Sequence, residues 1–183
     1  MSIDAKQVKE LRDKTGSGMM DCKKTLIEAA GDMEKAIKLL REKGLSAAAK
    51  RSDREVKEGQ VFCYIHPGAQ IGVMVEINCE TDFVARTDDF QQLGKDVAMQ
   101  VAATAPLALT REELDREIVE REKDIFRNQA LQAGKPENIV DKIIEGKMDK
   151  FFSEVFLTEQ PFIKDDKKTV EDLVKGAIGK IGE

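Results

Sequence analysis

The chain has 183 residues, 41% of them hydrophobic and 36% charged, with a formal net charge of −5. That balance suits one full domain plus a small second one, excludes a disordered chain, and argues against a nucleic-acid binder. No Trp, one Tyr and eight Phe leave no stacking platform of the kind single-strand binders use.

The charge is uneven. Residues 1–57 hold 14 Lys+Arg against 10 Asp+Glu, whereas residues 58–183 hold 16 against 25. A basic head on an acidic body suits electrostatic steering toward a protein partner. Cys22, Cys63 and Cys79 show no C-x-x-C spacing and leave one over, which speaks for a reducing compartment. With no leader-like or membrane-length apolar run, cytoplasm is the expected location.

Residues 1–44 read as three short helices. Asp4 and Gln7 make a capping pair ahead of Val8 and Leu11. Thr15-Gly16-Ser17-Gly18 breaks the first helix, and Met19, Cys22, Leu26 and Ala29 recur at helical spacing up to Gly31. Asp32 caps a third helix, with Met33, Ile37 and Leu40 on one face and Gly44 at its end. So small a core has no room for a catalytic cleft. Met19 and Met20 are adjacent, so they cannot both face one way. Core filling competes here with an adaptable exposed contact.

Leu45 to Glu58 is Ala-rich and charged and reads as a linker, with Lys50-Arg51 and Arg54 on a solvated face. Gln60–His66 and Gln70–Asn78 are strand-like runs joined by Pro67-Gly68-Ala69, a hairpin signal. His66, the single histidine, flanks that turn. Cys63 and Cys79 read as small apolar strand residues.

The second strand hands over to a helix through Asn78-Cys79-Glu80-Thr81-Asp82-Phe83-Val84-Ala85-Arg86. A Phe on such a corner is usually folded into the core. It can instead protrude as an apolar wedge with a charge beside it. Physical chemistry leaves both readings open at this point.

Thr87-Asp88-Asp89-Phe90 opens a helix that runs to about Ala105 and stops at Pro106. Thr110 and Glu113 form a capping box for a long helix ending at Gly134. Pro136 opens the next helix, which Gly146 should interrupt before Met148, Phe151, Phe152 and Phe156 resume it. The pair suggests an antiparallel helical hairpin at about 111–159. Gln160-Pro161-Phe162-Ile163 breaks the pattern, and Thr169 caps a last helix through Leu173 and Ile178.

Neither G-x-x-x-x-G-K-[ST] nor G-x-G-x-x-G occurs, so nucleotide binding by this chain is not expected. One His and three scattered Cys do not make a zinc site. The acids are interleaved with Lys and Arg on helix faces. An enzyme working through Cys79 or His66 is the minority reading, and no cofactor is expected.

Three stretches resemble one family, bacterial translation elongation factor Ts. They are Val8-Lys9-Glu10-Leu11-Arg12 through Thr15-Gly16-Ser17-Gly18-Met19-Met20-Asp21-Cys22-Lys23-Lys24, Asn78 to Ala85, and Gly134-Lys135-Pro136 with Glu159-Gln160-Pro161-Phe162. The resemblance runs essentially the whole length. It implies an α+β fold: a ubiquitin-associated-like three-helix head (1–44), a linker (45–58), and a core (59–183) in which long helices pack a small antiparallel sheet. It implies a guanine nucleotide exchange factor that binds elongation factor Tu·GDP, disturbs its magnesium site and promotes exchange of GDP for GTP. Thr81, Asp82, Phe83 and Val84 fall where the family pushes a segment between two helices of the partner's nucleotide domain. Leu11, Met19 and Met20 fall where the family contacts the same domain. No direct nucleic-acid or membrane contact is implied, and a homodimer is. The family continues past Gly179-Lys180-Ile181-Gly182-Glu183 into a strand rich in Val, Arg and Phe, so a sheet strand is expected to be missing here. The competing reading is a non-catalytic scaffold whose ubiquitin-associated-like head binds peptides.

Overall fold

The computed structural model describes residues 3–49 and 54–182. It is α+β, with eight α-helices and two small antiparallel sheets among those residues, and it divides into two compact units.

The first unit comprises 1–63, 74–96 and 172–183. It opens with α1 (Ala5–Thr15), α2 (Met19–Glu28) and α3 (Met33–Ala49). The capping signals work as the residues imply: Asp4 accepts from the Lys6 amide at 3.2 Å while the Gln7 side chain accepts from the Asp4 amide at 3.3 Å. Gly16 closes α1 at φ 67°, a left-handed cap that favours glycine. Asp32 Oδ1 accepts from the Lys35 amide at 3.0 Å at the head of α3. Val8, Leu11, Cys22, Leu26, Ala29, Ala36 and Leu40 form the small core between the three helices. One polar atom is caught in it: the Thr25 hydroxyl is buried without a hydrogen-bond partner among the described residues. Contrary to expectation, Gly44 does not end the third helix, which continues to Ala49. A single glycine costs a helix only about 1 kcal/mol, and the alanines beyond it favour helix. Lys50 and Arg51 lie outside the described residues.

Strands β1 (Glu58–Ile65) and β2 (Gly72–Cys79) pair as the expected hairpin. The one-turn helix α4 (Asp82–Ala85) follows, then α5 (Asp88–Thr104), and the unit regains the chain at α8 (Val170–Ile181). Phe62 turns inward from β1 and stacks at 5.8 Å against Phe90 of α5. Its ring occupies the space a Cβ on Gly94 would need, so only glycine at that position lets the aromatic seat.

The second unit comprises 64–73 and 97–171. Its main element is the helical hairpin of α6 (Arg116–Gln132) and α7 (Glu137–Val155), packed through Ala130, Val140, Ile144 and Met148. Two sequence expectations fail here. Thr110 starts only a short 3₁₀ turn and makes no side-chain cap; α6 begins at Arg116, with Asp115 accepting from the Glu117 amide at 2.9 Å. Glu113, the other half of the expected box, accepts from Leu109 N instead, at 3.1 Å. Nor does Gly146 interrupt α7, which runs unbroken for 19 residues. A Cβ there would meet nothing, and the packed Ile144 and Met148 carry the helix past it. After α7, β3 (Pro161–Phe162) and β4 (Asp165–Thr169) form a tight hairpin that the sequence pattern did not reveal. It is held by an amide network: Gln100 donates to Gln160 Oε1 at 3.1 Å and to Pro161 O at 3.2 Å, and accepts from Ile163 N at 2.9 Å.

Candidate functional site

The corner after β2 is built from its own hydrogen bonds. Thr81 leaves the strand in extended geometry, and its hydroxyl accepts from the Val84 amide at 3.4 Å, capping the single turn of α4. The turn closes through Ala85 N to Thr81 O and Arg86 N to Phe83 O, both 3.3 Å. Thr87 repeats the device: its hydroxyl donates to Val84 O at 2.8 Å and accepts from Phe90 N at 3.3 Å, starting α5. Gln91 ties the corner down from α5 by donating to Ala85 O at 2.8 Å. Cys79 Sγ, buried at the end of β2, donates to Thr81 O at 3.2 Å.

On this fixed corner the side chains part company. Ala85 is buried, and the half-buried Val84 lines a cleft of about 210 Å³ with Ile77, Cys79, Phe90, Val174 and Ile178. Phe83 points the other way and is 78% exposed. Of the eight phenylalanines, all among the described residues, it alone is exposed. The core-filling alternative for Phe83 is therefore excluded. Asp82 is paired with Arg86 at 2.8 Å, so an ion pair stands directly beside the bare ring. A stiff backbone, one uncovered aromatic and an adjacent charge form the arrangement expected of an anchor for another protein's pocket.

The second set of candidate residues lies on the head. Met19 and Met20 are 58% and 62% exposed at the start of α2, so both leave the core. Leu11 is 0% exposed and packs inside the three-helix core, so it can act on a partner only by supporting the surface above it. Sequence reasoning missed Ile27, exposed one heptad beyond Met20 and therefore on the same side of α2. That spacing, set against the buried Cys22, Leu26 and Ala29, was the signal available.

His66 sits at the hairpin turn, its Nδ1 3.1 Å from the Tyr64 hydroxyl, and its amide donates to Ile71 O at 3.0 Å. Among the described residues no group of three or more His, Cys, Asp or Glu is placed to hold a metal, and no helix is long and apolar enough to cross a membrane.

Comparison with known proteins supplies the context. Residues 4–183 match the family described as Elongation factor TS. The chain is 60% identical over 181 residues to Elongation factor Ts of Desulforamulus reducens, covering 99% of this chain and 83% of that one. Against Elongation factor Ts of Thermosipho melanesiensis it is 56% identical over 181 residues, covering 99% and 92%. Against that of Fervidobacterium nodosum it is 53% identical over 183 residues, covering 100% and 93%.

Proposed function

The chain belongs to the elongation factor Ts family, and from that membership we propose how its surface does the work. It is a nucleotide exchange factor of translation elongation, and the family implies binding to elongation factor Tu. In our reading Phe83 enters a pocket in the nucleotide domain of elongation factor Tu, with Asp82 beside it and Thr81 and Val84 fixing the angle of entry. Magnesium bridges nucleotide phosphates and protein oxygens, so a small displacement of its surroundings in the partner loosens GDP. Met19 and Met20 hold the same domain from the head, with Leu11 packed beneath them.

Thermodynamics asks nothing more. A factor that binds the nucleotide-free partner more tightly than the loaded one weakens the nucleotide by the same ratio. No bond is made or broken on this chain, so it is not an enzyme and requires no cofactor. The division of labour is a head at 1–44, a linker at 45–58 and a core at 59–183. The chain acts in the cytoplasm, without contacting nucleic acid or membrane, and as a homodimer. Support for the last point comes from β1 and β2, whose outer face leaves Val61, Cys63 and Met74 uncovered.

The observation that carries the reading is the uncovered Phe83 on a corner whose backbone is tied down by Thr81, Thr87 and Gln91. Release of a fluorescent GDP analogue from elongation factor Tu tests it. The parent chain should accelerate release, and Phe83→Ala should lose at least about tenfold of that acceleration, since a buried Phe side chain contributes roughly 1.5–3 kcal/mol. Circular dichroism should show an unchanged fold. Full acceleration by a folded Phe83→Ala would move the mechanism away from this corner. No acceleration by the parent would leave the peptide-binding head as the standing reading.

A further inference from the structure

We infer that α8 is a spacer that locks the three-helix head and the Asp82–Ala85 turn into one contact surface of fixed span, with Gly179 and Lys180 as its positioning residues. The functional half of this inference rests on the exchange reading above.

A helix advances about 100° per residue, which gives α8 two opposed sides. Asp172 and Gly179 fall on one, and Val174, Ile178 and Ile181 on the other. The first side meets the head. Gly179 lies so close to α3 that a Cβ on it would come 3.0 Å from Gly44 Cα, nearer than most real Cβ contacts. Asp172 faces Arg41 of the same helix at 4.0 Å. Next to Gly179, Lys180 runs its methylenes over Gly16, the cap of α1, filling the space a side chain there would take. Its ammonium reaches Asp89 at 2.5 Å, in the first turn of α5 and a few residues beyond the corner. One lysine thus clamps the end of α1 to the start of α5. The second side of α8 forms one wall of the cleft that Val84 lines from the corner. The same helix therefore touches the head with one face and stands beneath the exposed turn with the other.

This matters because the two contact sets lie far apart in sequence. When two sites are held at a fixed span, engagement of one makes the second intramolecular at a high effective concentration. A loose span forfeits that advantage although each contact survives. Loss of the spacer should therefore weaken binding while leaving the action of the corner on a bound partner intact.

The test is a pair of measurements on the full chain. Spin labels on Lys95→Cys and Lys35→Cys, both exposed, in a Cys63→Ser background diluted with unlabelled chain report the distance between core and head within one copy. The parent should give one narrow distribution. Gly179→Leu, and independently the surface change Lys180→Ala, should broaden it. Gly44→Ala serves as the matched control, because its Cβ would sit 3.9 Å from Gly179 Cα, an ordinary contact, and should leave the distribution narrow. In the exchange assay, Gly179→Leu should raise the half-saturating concentration of the chain at least fivefold while the plateau rate stays within twofold. Met20→Ala should then cost less in that background than in the parent, the non-additivity of contacts that share a span. Unchanged distributions in both spacer variants overturn the inference, as does a loss confined to the plateau rate. Should the parent fail to accelerate release, the exchange reading falls by itself. The distance distributions still decide whether α8 holds the head.

Discussion

Two phenylalanines stand at corners of this molecule, one uncovered and one buried. Phe83 follows Thr81-Asp82 and is exposed; Phe162 follows Gln160-Pro161 and is 6% exposed. Both corners are short and polar, and both carry an acid paired with an arginine. The difference lies in where the backbone finds its hydrogen bonds. Around Phe83 they come from Thr81, Thr87 and Gln91, all within a few residues. Around Phe162 the local β3–β4 pairing is joined by Gln100, about sixty positions away, which brackets the chain by donating to Pro161 O and accepting from Ile163 N. A corner that satisfies itself locally leaves its side chain free for another protein. A corner that borrows from a distant helix is drawn into the core.

The largest effect should come from exchanging the two roles. Phe162→Ala removes a buried ring and should cost ~3–4 kcal/mol of stability, read as a shift in the urea midpoint. Phe83→Ala should move that midpoint by no more than about 0.5 kcal/mol, as surface changes generally do, although it removes the anchor. A large loss of stability in Phe83→Ala would show that the outward ring is part of the fold and break the contrast.

Next in size is the borrowed amide. Gln100→Leu keeps the volume but leaves the Ile163 amide and the Pro161 carbonyl without their partner; Gln160 Oε1 retains the Thr104 hydroxyl at 2.7 Å. Groups left unpaired at this partly buried position should cost ~1–2 kcal/mol. Hydrogen exchange at Ile163 should accelerate, while the amides of Val84 and Phe90 keep their parental protection. Loss of protection at both corners would mean that the outward one is not self-contained.

Legibility in the sequence followed the same division. Signals closed within a few residues were readable: the capping pair Asp4–Gln7, the cap at Asp32, the hairpin around Pro67-Gly68, and the position of the corner at Thr81–Arg86. The family, too, was readable from short motifs, and the match over residues 4–183 bears it out. What depended on distant partners was not. The direction of Phe83 could not be read from its neighbours in sequence; the ring that seats at Gly94 is Phe62, packed against Phe90. Gln100 sits at an apolar spacing in α5 and shows its role only beside Gln160. The capping box at Thr110 failed because Glu113 was drawn to Leu109, itself positioned by the Thr158 amide and hydroxyl at 3.2 and 2.8 Å.

The smallest expected effect separates the two ion pairs at the corners. Asp82 and Arg86 are neighbours on one turn, whereas Arg111 reaches Glu159 from the far side of the α6–α7 hairpin through two bonds, 2.5 and 2.7 Å, and lays its guanidinium 4.3 Å over the Phe152 ring. Hydrogen bonding from Arg111 holds the Glu159 carboxyl below its ordinary value of 4.5, against an opposing push from partial burial. A carboxylate depressed on folding contributes stability that is fully present above its unfolded pKa and fades as the pH falls through the lower folded value. Both side chains are partly exposed, so the contribution at neutral pH should be only about 0.5–1 kcal/mol. Glu159→Gln should therefore lower the urea midpoint slightly at pH values above about 5. Its curve should converge on the parent's as the pH drops below 4.5, where the parental carboxyl takes up its proton. A gap that persists unchanged into strong acid would assign the loss to the seating of Arg111 over Phe152 rather than to the charge on Glu159.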